Sequence, residues 1–74
     1  MHNGQDAALR RAIEIFKGQT PLAKRLGVSQ SLVSYWLNIA RRGVPAHQAI
    51  AIERVTRRQV TRQQLRPDLF GNAA

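Results

Sequence analysis

The sequence predicts an all-α fold, a small bundle of four to five short helices. Three observations predict it. Apolar residues recur at the 3.6-residue period of a helix, glycines and capping residues fall between those runs, and no stretch reads as a strand. The 74 residues are expected to form one domain over 1–74, with a core from about 6 to 70 and frayed ends. There is no repeat, linker or low-complexity tract.

The first helix is expected from Asp6 to Lys17. Leu9, Ala12, Ile13 and Phe16 form one stripe, Asp6 reads as its N-cap and Gly18 as its stop. Thr20 and Pro21 open a second helix. Threonine offers a capping oxygen, and proline tolerates the first helical position, where its missing N–H has no partner anyway. Leu22, Ala23 and Leu26 face inward, and Gly27 ends the helix after barely two turns. Ser29 caps a third helix running to about Ala40. "RRG" closes it, and Val44–Pro45 opens a fourth through about Arg57, with Ala49, Ile50, Ile52 and Val55 as its apolar set. Thr61 with Gln64 fits a capping box, giving a short turn over 61–66, and Arg66, preceding a proline, should leave the helical region. Val60, Leu65, Leu69 and Phe70 either complete the core or offer a surface to a second copy.

A chain this short buries only about 60% of its extended surface. Without cysteine it has neither a disulfide nor a thiolate metal site to help. Support must come from helix packing or oligomerisation. No apolar run approaches the roughly 20 residues that cross a membrane. The start "MHNGQDAAL" lacks the basic stretch and apolar run of a signal peptide, so a cytoplasmic location is expected.

Charge is the strongest compositional signal. Twelve Lys and Arg, ten of them arginine, stand against Asp6, Glu14, Glu53 and Asp68, for a net charge of +8. Such a balance points to a polyanion, either nucleic acid or an anionic membrane surface. The bland alternative is a soluble basic protein.

The third helix separates these readings. At about 100° per residue, with Gln30 at zero, Ser34, Asn38, Ser31 and Tyr35 fall at roughly 40°, 80°, 100° and 140°. Leu32, Val33, Trp36, Leu37, Ile39 and Ala40 fall between roughly 180° and 340°. One arc is therefore apolar and the other is polar but uncharged. Base edges need donors and acceptors of that kind: Gln and Asn match adenine N6 and N7, and serine serves either role. A plain amphipathic helix is the competing account. The spacing favours the first. A helix of about two turns, a glycine turn and a longer helix make a helix-turn-helix, with Ala23 allowing close approach and Leu22, Leu26, Val28, Val33 and Trp36 supplying the shared core.

The segments "GQTPLAKRLGVSQSLVSYWL", "VPAHQAIAIE" and "VTRQQLRPDLF" resemble the Cro-type helix-turn-helix regulators of phages and prophages, in particular the YdaS-like group, from about Ala8 to Phe70. The resemblance implies a lambda-repressor-like helical domain that binds double-stranded DNA, typically as a dimeric repressor, with some members described as antitoxin-like. It places the protein on the nucleoid of a bacterium or phage-infected host. It also implies that Gln19 touches a phosphate and that Ser29, Gln30, Ser31, Ser34, Tyr35 and Asn38 lie where such regulators contact DNA. The loop "NIARRG" departs from the pattern, being longer than the compact form.

On this reading the third helix enters the major groove. Gln30 and Ser34 are the leading readers, Ser31 and Asn38 follow, and Tyr35 bonds a phosphate or packs on a thymine methyl. Lys17, Lys24, Arg25, Arg41 and Arg42, with Gln19 and Thr20, would hold phosphates, as would the N–H groups opening the second and fourth helices. Trp36 is expected in the core and His47 on the surface. Arg54, Arg57, Arg58, Arg62 and Arg66 form a second basic set: a solvated face, a phosphate flank or an oligomer rim. Glu53 and Glu14 are expected to pair with arginines. One module reads few bases, so a homodimer on a palindrome is expected, with higher oligomers open.

An enzyme is the weakest alternative. The only histidines are His2 and His47, no acids pair at helical spacing, and no glycine-rich phosphate loop occurs, so neither cofactor nor metal is expected. The stronger rival is an antitoxin or adaptor acting through a protein partner, against which the short stretch after Phe70 weighs. RNA binding lacks an exposed aromatic platform, and a membrane-surface helix lacks a spare apolar face.

Overall fold

The computed structural model of the protein describes residues 4–71. Among them there are six helices and no strand: α1 (Gly4–Ile15), α2 (Gln19–Leu26), α3 (Gln30–Asn38), α4 (Ala46–Val55), α5 (Arg62–Leu65) and α6 (Pro67–Phe70). The fold class is the expected one, with α6 as an added single turn. The expected frayed ends and His2 lie at least partly outside the described residues, and α1 already begins at Gly4.

Helices α1 to α4 each contribute an inward stripe to one core. Ala8, Leu9 and Ala12 come from α1, Leu22 and Ala23 from α2, Val33 and Trp36 from α3, and Ala49 and Ile52 from α4. Val44, Val60 and Leu65 close it from the connecting segments and α5. Small residues sit where helices cross: Ala12 and Ala49 are fully buried, and a larger side chain at either would push neighbouring helices apart. Trp36 is a core residue, as expected. The C-terminal segment also folds back. Val60 and Leu65 are buried and Phe70 packs against the core, leaving only Leu69 of that expected surface exposed.

Three helix ends share one device. After α2, Gly27 takes the left-handed conformation (φ 75), its N–H bonds the Lys24 carbonyl at 3.2 Å, and the Val28 N–H bonds the Ala23 carbonyl at 3.0 Å. Together these form a Schellman motif. The same pair of bonds closes α1, from Lys17 to Glu14 and from Gly18 to Ile13. It closes α4 as well, from Arg57 to Arg54 and from Arg58 to Glu53. The left-handed residue is glycine only after α2; Lys17 (φ 65) and Arg57 (φ 54) hold it elsewhere. Lys17, not Gly18, therefore ends α1. Gly18 instead precedes α2, which begins at Gln19, so Thr20 is exposed inside the helix and does not cap it. Asp6 likewise lies within the first turn of α1, where its charge suits the helix dipole, and is not the cap.

The capping roles of Ser29 and Thr61 are as expected. The Ser29 hydroxyl accepts from the Leu32 N–H at 3.1 Å, and Thr61 and Gln64 form a reciprocal capping box. α3 stops at Asn38, short of Ala40, and α4 stops at Val55, short of Arg57.

One buried polar group ties the two halves of the chain. Arg66 does leave the helical region (φ −139, ψ 71) and, against the expectation of a surface role, is buried. Its guanidinium donates to the Val44 carbonyl at 2.8 Å and forks onto the Asp68 carboxylate at 2.9 and 2.8 Å. Those hydrogen bonds from Arg66 hold the Asp68 carboxyl down from the usual 3.8 to about 2. The same bonds raise Arg66 further above its ordinary value. Arg42 reaches Asp68 from the loop after α3 at 3.4 Å, so the long "NIARRG" loop is pinned to α6.

Candidate nucleic-acid interface

α2, the turn Gly27–Ser29 and α3 form the arrangement that the glycine spacing predicted. Glycine suits position 27 because its left-handed backbone disfavours other side chains; space is not the constraint, since an added Cβ would meet no neighbour within 4 Å. The turn brings the start of α3 beside the start of α2. There the Gln30 side chain donates from Nε2 to Gln19 Oε1 at 2.6 Å.

This contact was not legible in the sequence, since the two residues lie 11 apart with no local signal joining them. Its consequence follows from counting valences. A glutamine amide has two N–H donors and one carbonyl acceptor. Gln30 spends one donor on Gln19 and keeps one donor and its carbonyl, the pair that adenine N7 and N6 require. Gln19 spends its carbonyl and keeps both donors, which suits an anionic oxygen.

Of the other expected readers, Ser29, Ser31 and Asn38 are exposed, Ser34 is half-buried, and Tyr35 is 50% exposed. Asn38 donates to the Ser34 hydroxyl at 3.1 Å one turn back, which holds both along one line of the helix and leaves the Ser34 O–H to donate outward. The apolar arc of α3 is not fully covered. Val33 and Trp36 are buried, but Leu32 is 37% and Ile39 67% exposed, because they lie at the edge of the arc beside Tyr35. Burial on α3 is thus narrower than its polarity pattern.

The charge along this part of the chain is one-sided. No acid occurs from Ile15 through Ile52, a stretch that carries Lys17, Lys24, Arg25, Arg41 and Arg42. All five cations are exposed. Arg25 lies over the Phe16 ring, 5.6 Å from its centroid, and Arg42 leans toward Asp68, so these two are oriented by neighbours. Thr20 is exposed on α2 next to Gln19, and His47 is exposed in the first turn of α4. Glu53 pairs with Arg62 at 2.6 Å, as expected of it, but is buried; among the described residues Glu14 has no ion pair. Among the described residues no cluster of histidine or acids could hold a metal ion, and no helix is long and apolar enough to cross a membrane.

The family model described as "Bacterial toxin YdaS" matches residues 9–74. The chain is 37% identical over 65 residues to the protein named "Putative transcriptional regulator YdaS" of Escherichia coli (strain K12), an alignment that covers 88% of this chain and 65% of that relative. The chain therefore spans just under two thirds of that relative's length. No solved structure matches. On the family match, which takes in nearly all of the chain, the protein belongs to the YdaS family.

Proposed function

We propose that the whole chain is a helix-turn-helix domain that binds double-stranded DNA at a specific sequence and regulates transcription, in the manner of a Cro-like repressor on a palindromic operator. The observation that carries this reading is the outer face of α3. It is exposed and uncharged, and its leading residue, Gln30, is oriented by Gln19 with one donor and one acceptor to spare. The name of the Escherichia coli relative supports the regulatory role.

In the mechanism, α3 lies in the major groove. Gln30 takes an adenine edge, Ser29, Ser31 and Ser34 donate to neighbouring acceptors, and Asn38 and Tyr35 contact the far side of the half-site. The Gln19 amide, the Thr20 hydroxyl and the cations Lys17, Lys24, Arg25, Arg41 and Arg42 hold phosphates on either side, fixing register without reading sequence. Each phosphate neutralised contributes about −0.9 to the slope of log affinity against log salt. Two copies on two half-sites supply the length of sequence that one α3 cannot.

The test is selection of bound sequences from a random duplex pool. A palindrome with half-sites about one helical turn apart supports the reading. A pool without enrichment removes it.

The family is described as a bacterial toxin, and a toxin's target can itself be a protein, so the second reading is that this chain acts mainly through a protein partner. Co-purification of a stoichiometric partner whose binding survives Gln30→Ala, with no enriched duplex, would favour that reading over the first.

A further inference from the structure

The end of α4, the turn after it and α5 enclose a recess of about 310 Å³, lined by Ile50, Glu53, Arg54, Arg57, Arg58 and Arg62. None of its lining residues belongs to α2 or α3. Four arginines against one glutamate give the lining a net charge of +3. Glu53 accounts for only part of it. Its carboxylate is buried, takes the Arg62 Nε at 2.6 Å and faces the Arg58 Nε at 3.9 Å. Among the described residues the side chains of Arg54 and Arg57 have no hydrogen-bond or ion-pair partner.

The turn that gathers these cations is built and braced. Arg57 and Arg58 both take the left-handed conformation (φ 54 and 67), which L side chains rarely adopt. The buried Thr56 hydroxyl holds them there, donating to the Ile52 carbonyl at 2.8 Å and accepting from the Val60 N–H at 3.2 Å. Complementing the dipole of α4 explains one cation in its last turn, Arg54. The helix stop accounts for the backbone of Arg57, but neither the stop nor the dipole calls for cationic side chains at both 57 and 58 on the rim of a concave site.

We infer that this recess is a phosphate site that takes two adjacent phosphate groups, a reading independent of what α3 binds. A terminal diphosphate carries roughly −3 at neutral pH, which matches the lining charge, and two successive backbone phosphodiesters carry about −2. Guanidinium forks pair with phosphate oxygens in bidentate fashion. The volume is at the lower end for ligand pockets, enough for a diphosphate with Ile50 as a small apolar floor. The phosphates come either from a free diphosphate-bearing molecule or from successive backbone positions of a nucleic acid.

The test follows the arginine Nε–H signals of the full chain by NMR while inorganic pyrophosphate is added. Saturable shifts at Arg54, Arg57, Arg58 and Arg62 are expected. The double variant Arg54→Gln/Arg57→Gln should bind at least about tenfold more weakly, and the charge-matched control Arg10→Gln/Arg11→Gln should bind as the parent does. Arg54→Gln alone, which removes a side chain without a partner, guards against loss of fold and should give part of the same loss. Non-saturating shifts spread over all arginines, or equal weakening in the control, would overturn the inference. A duplex of random sequence added to the pyrophosphate complex separates the sources. Displacement assigns the site to backbone phosphates, and retention assigns it to a free ligand.

Discussion

Replacing Gln30 with alanine should weaken binding to the preferred duplex about 5- to 150-fold, the roughly 1–3 kcal/mol that a bidentate base contact confers. Binding to a scrambled duplex should stay within about twofold, because Gln30 makes no phosphate contact in this account. The magnitude rests on the valence count. With Nε2 donating to Gln19 Oε1 at 2.6 Å, the amide plane is fixed and presents one N–H and one carbonyl together. Gln19→Ala keeps the reader but frees its rotamers. Ordering a glutamine side chain costs up to about 1.5–2 kcal/mol, so part of the specific contact is lost, in addition to one phosphate contact on any duplex. The two changes should therefore couple by about 0.5–1.5 kcal/mol in a double-mutant cycle on the preferred duplex and be additive on the scrambled one. Fluorescence anisotropy of the four proteins at one salt concentration measures all of this. Equal loss on both duplexes after Gln30→Ala, or no coupling with Gln19→Ala, would refute the reasoning.

Three further outcomes are expected. Gly27→Ala should destabilise by about 1 kcal/mol, through the left-handed backbone alone, because the added Cβ meets no neighbour within 4 Å; a thermal melt showing a loss several times larger would mean the turn is crowded after all. Asp68 has its folded pKa lowered from 3.8 to about 2, so its contribution to stability is present above about pH 4 and is lost as pH falls toward 2; urea midpoints between pH 5 and pH 2 should fall less steeply in Asp68→Asn, and parallel curves would contradict the assignment. Thr56→Val should cost about 1–3 kcal/mol by leaving the buried Val60 N–H without its acceptor, seen as faster amide exchange at Val60, and unchanged exchange there would remove Thr56 as the brace of that turn.

What was legible in the sequence was what local chemistry decides. Ser29 and Thr61 cap because a side-chain oxygen reaches an N–H three residues on, and both neighbours are in view along the chain. Gly27 marks its turn because its left-handed backbone is one that other residues resist. Lys17 and Arg57 hold the same conformation at ordinary residues, so their turns gave no such mark, and Gly18 drew the assignment that belongs to its neighbour. Thr20 and Pro21 read as a helix start, but the Schellman turn after α1 delivers the chain already turned at Gly18, so α2 starts earlier. Arg66 was the least legible. Its burial depends on the Val44 carbonyl, 22 residues away, and no window along the chain contains both. The Gln19–Gln30 contact is of the same kind: the sequence marks each residue separately, and only the tertiary turn shows that one orients the other.

In the proposed function, α3 is the surface that meets duplex DNA. Amide chemical-shift mapping of the full chain with a selected duplex tests it directly. The largest changes should fall on Gln19 and on Ser29 through Asn38, with smaller ones at Lys17, Lys24, Arg25, Arg41 and Arg42. Changes that leave Gln30, Ser31 and Ser34 unmoved while other surfaces respond would contradict it.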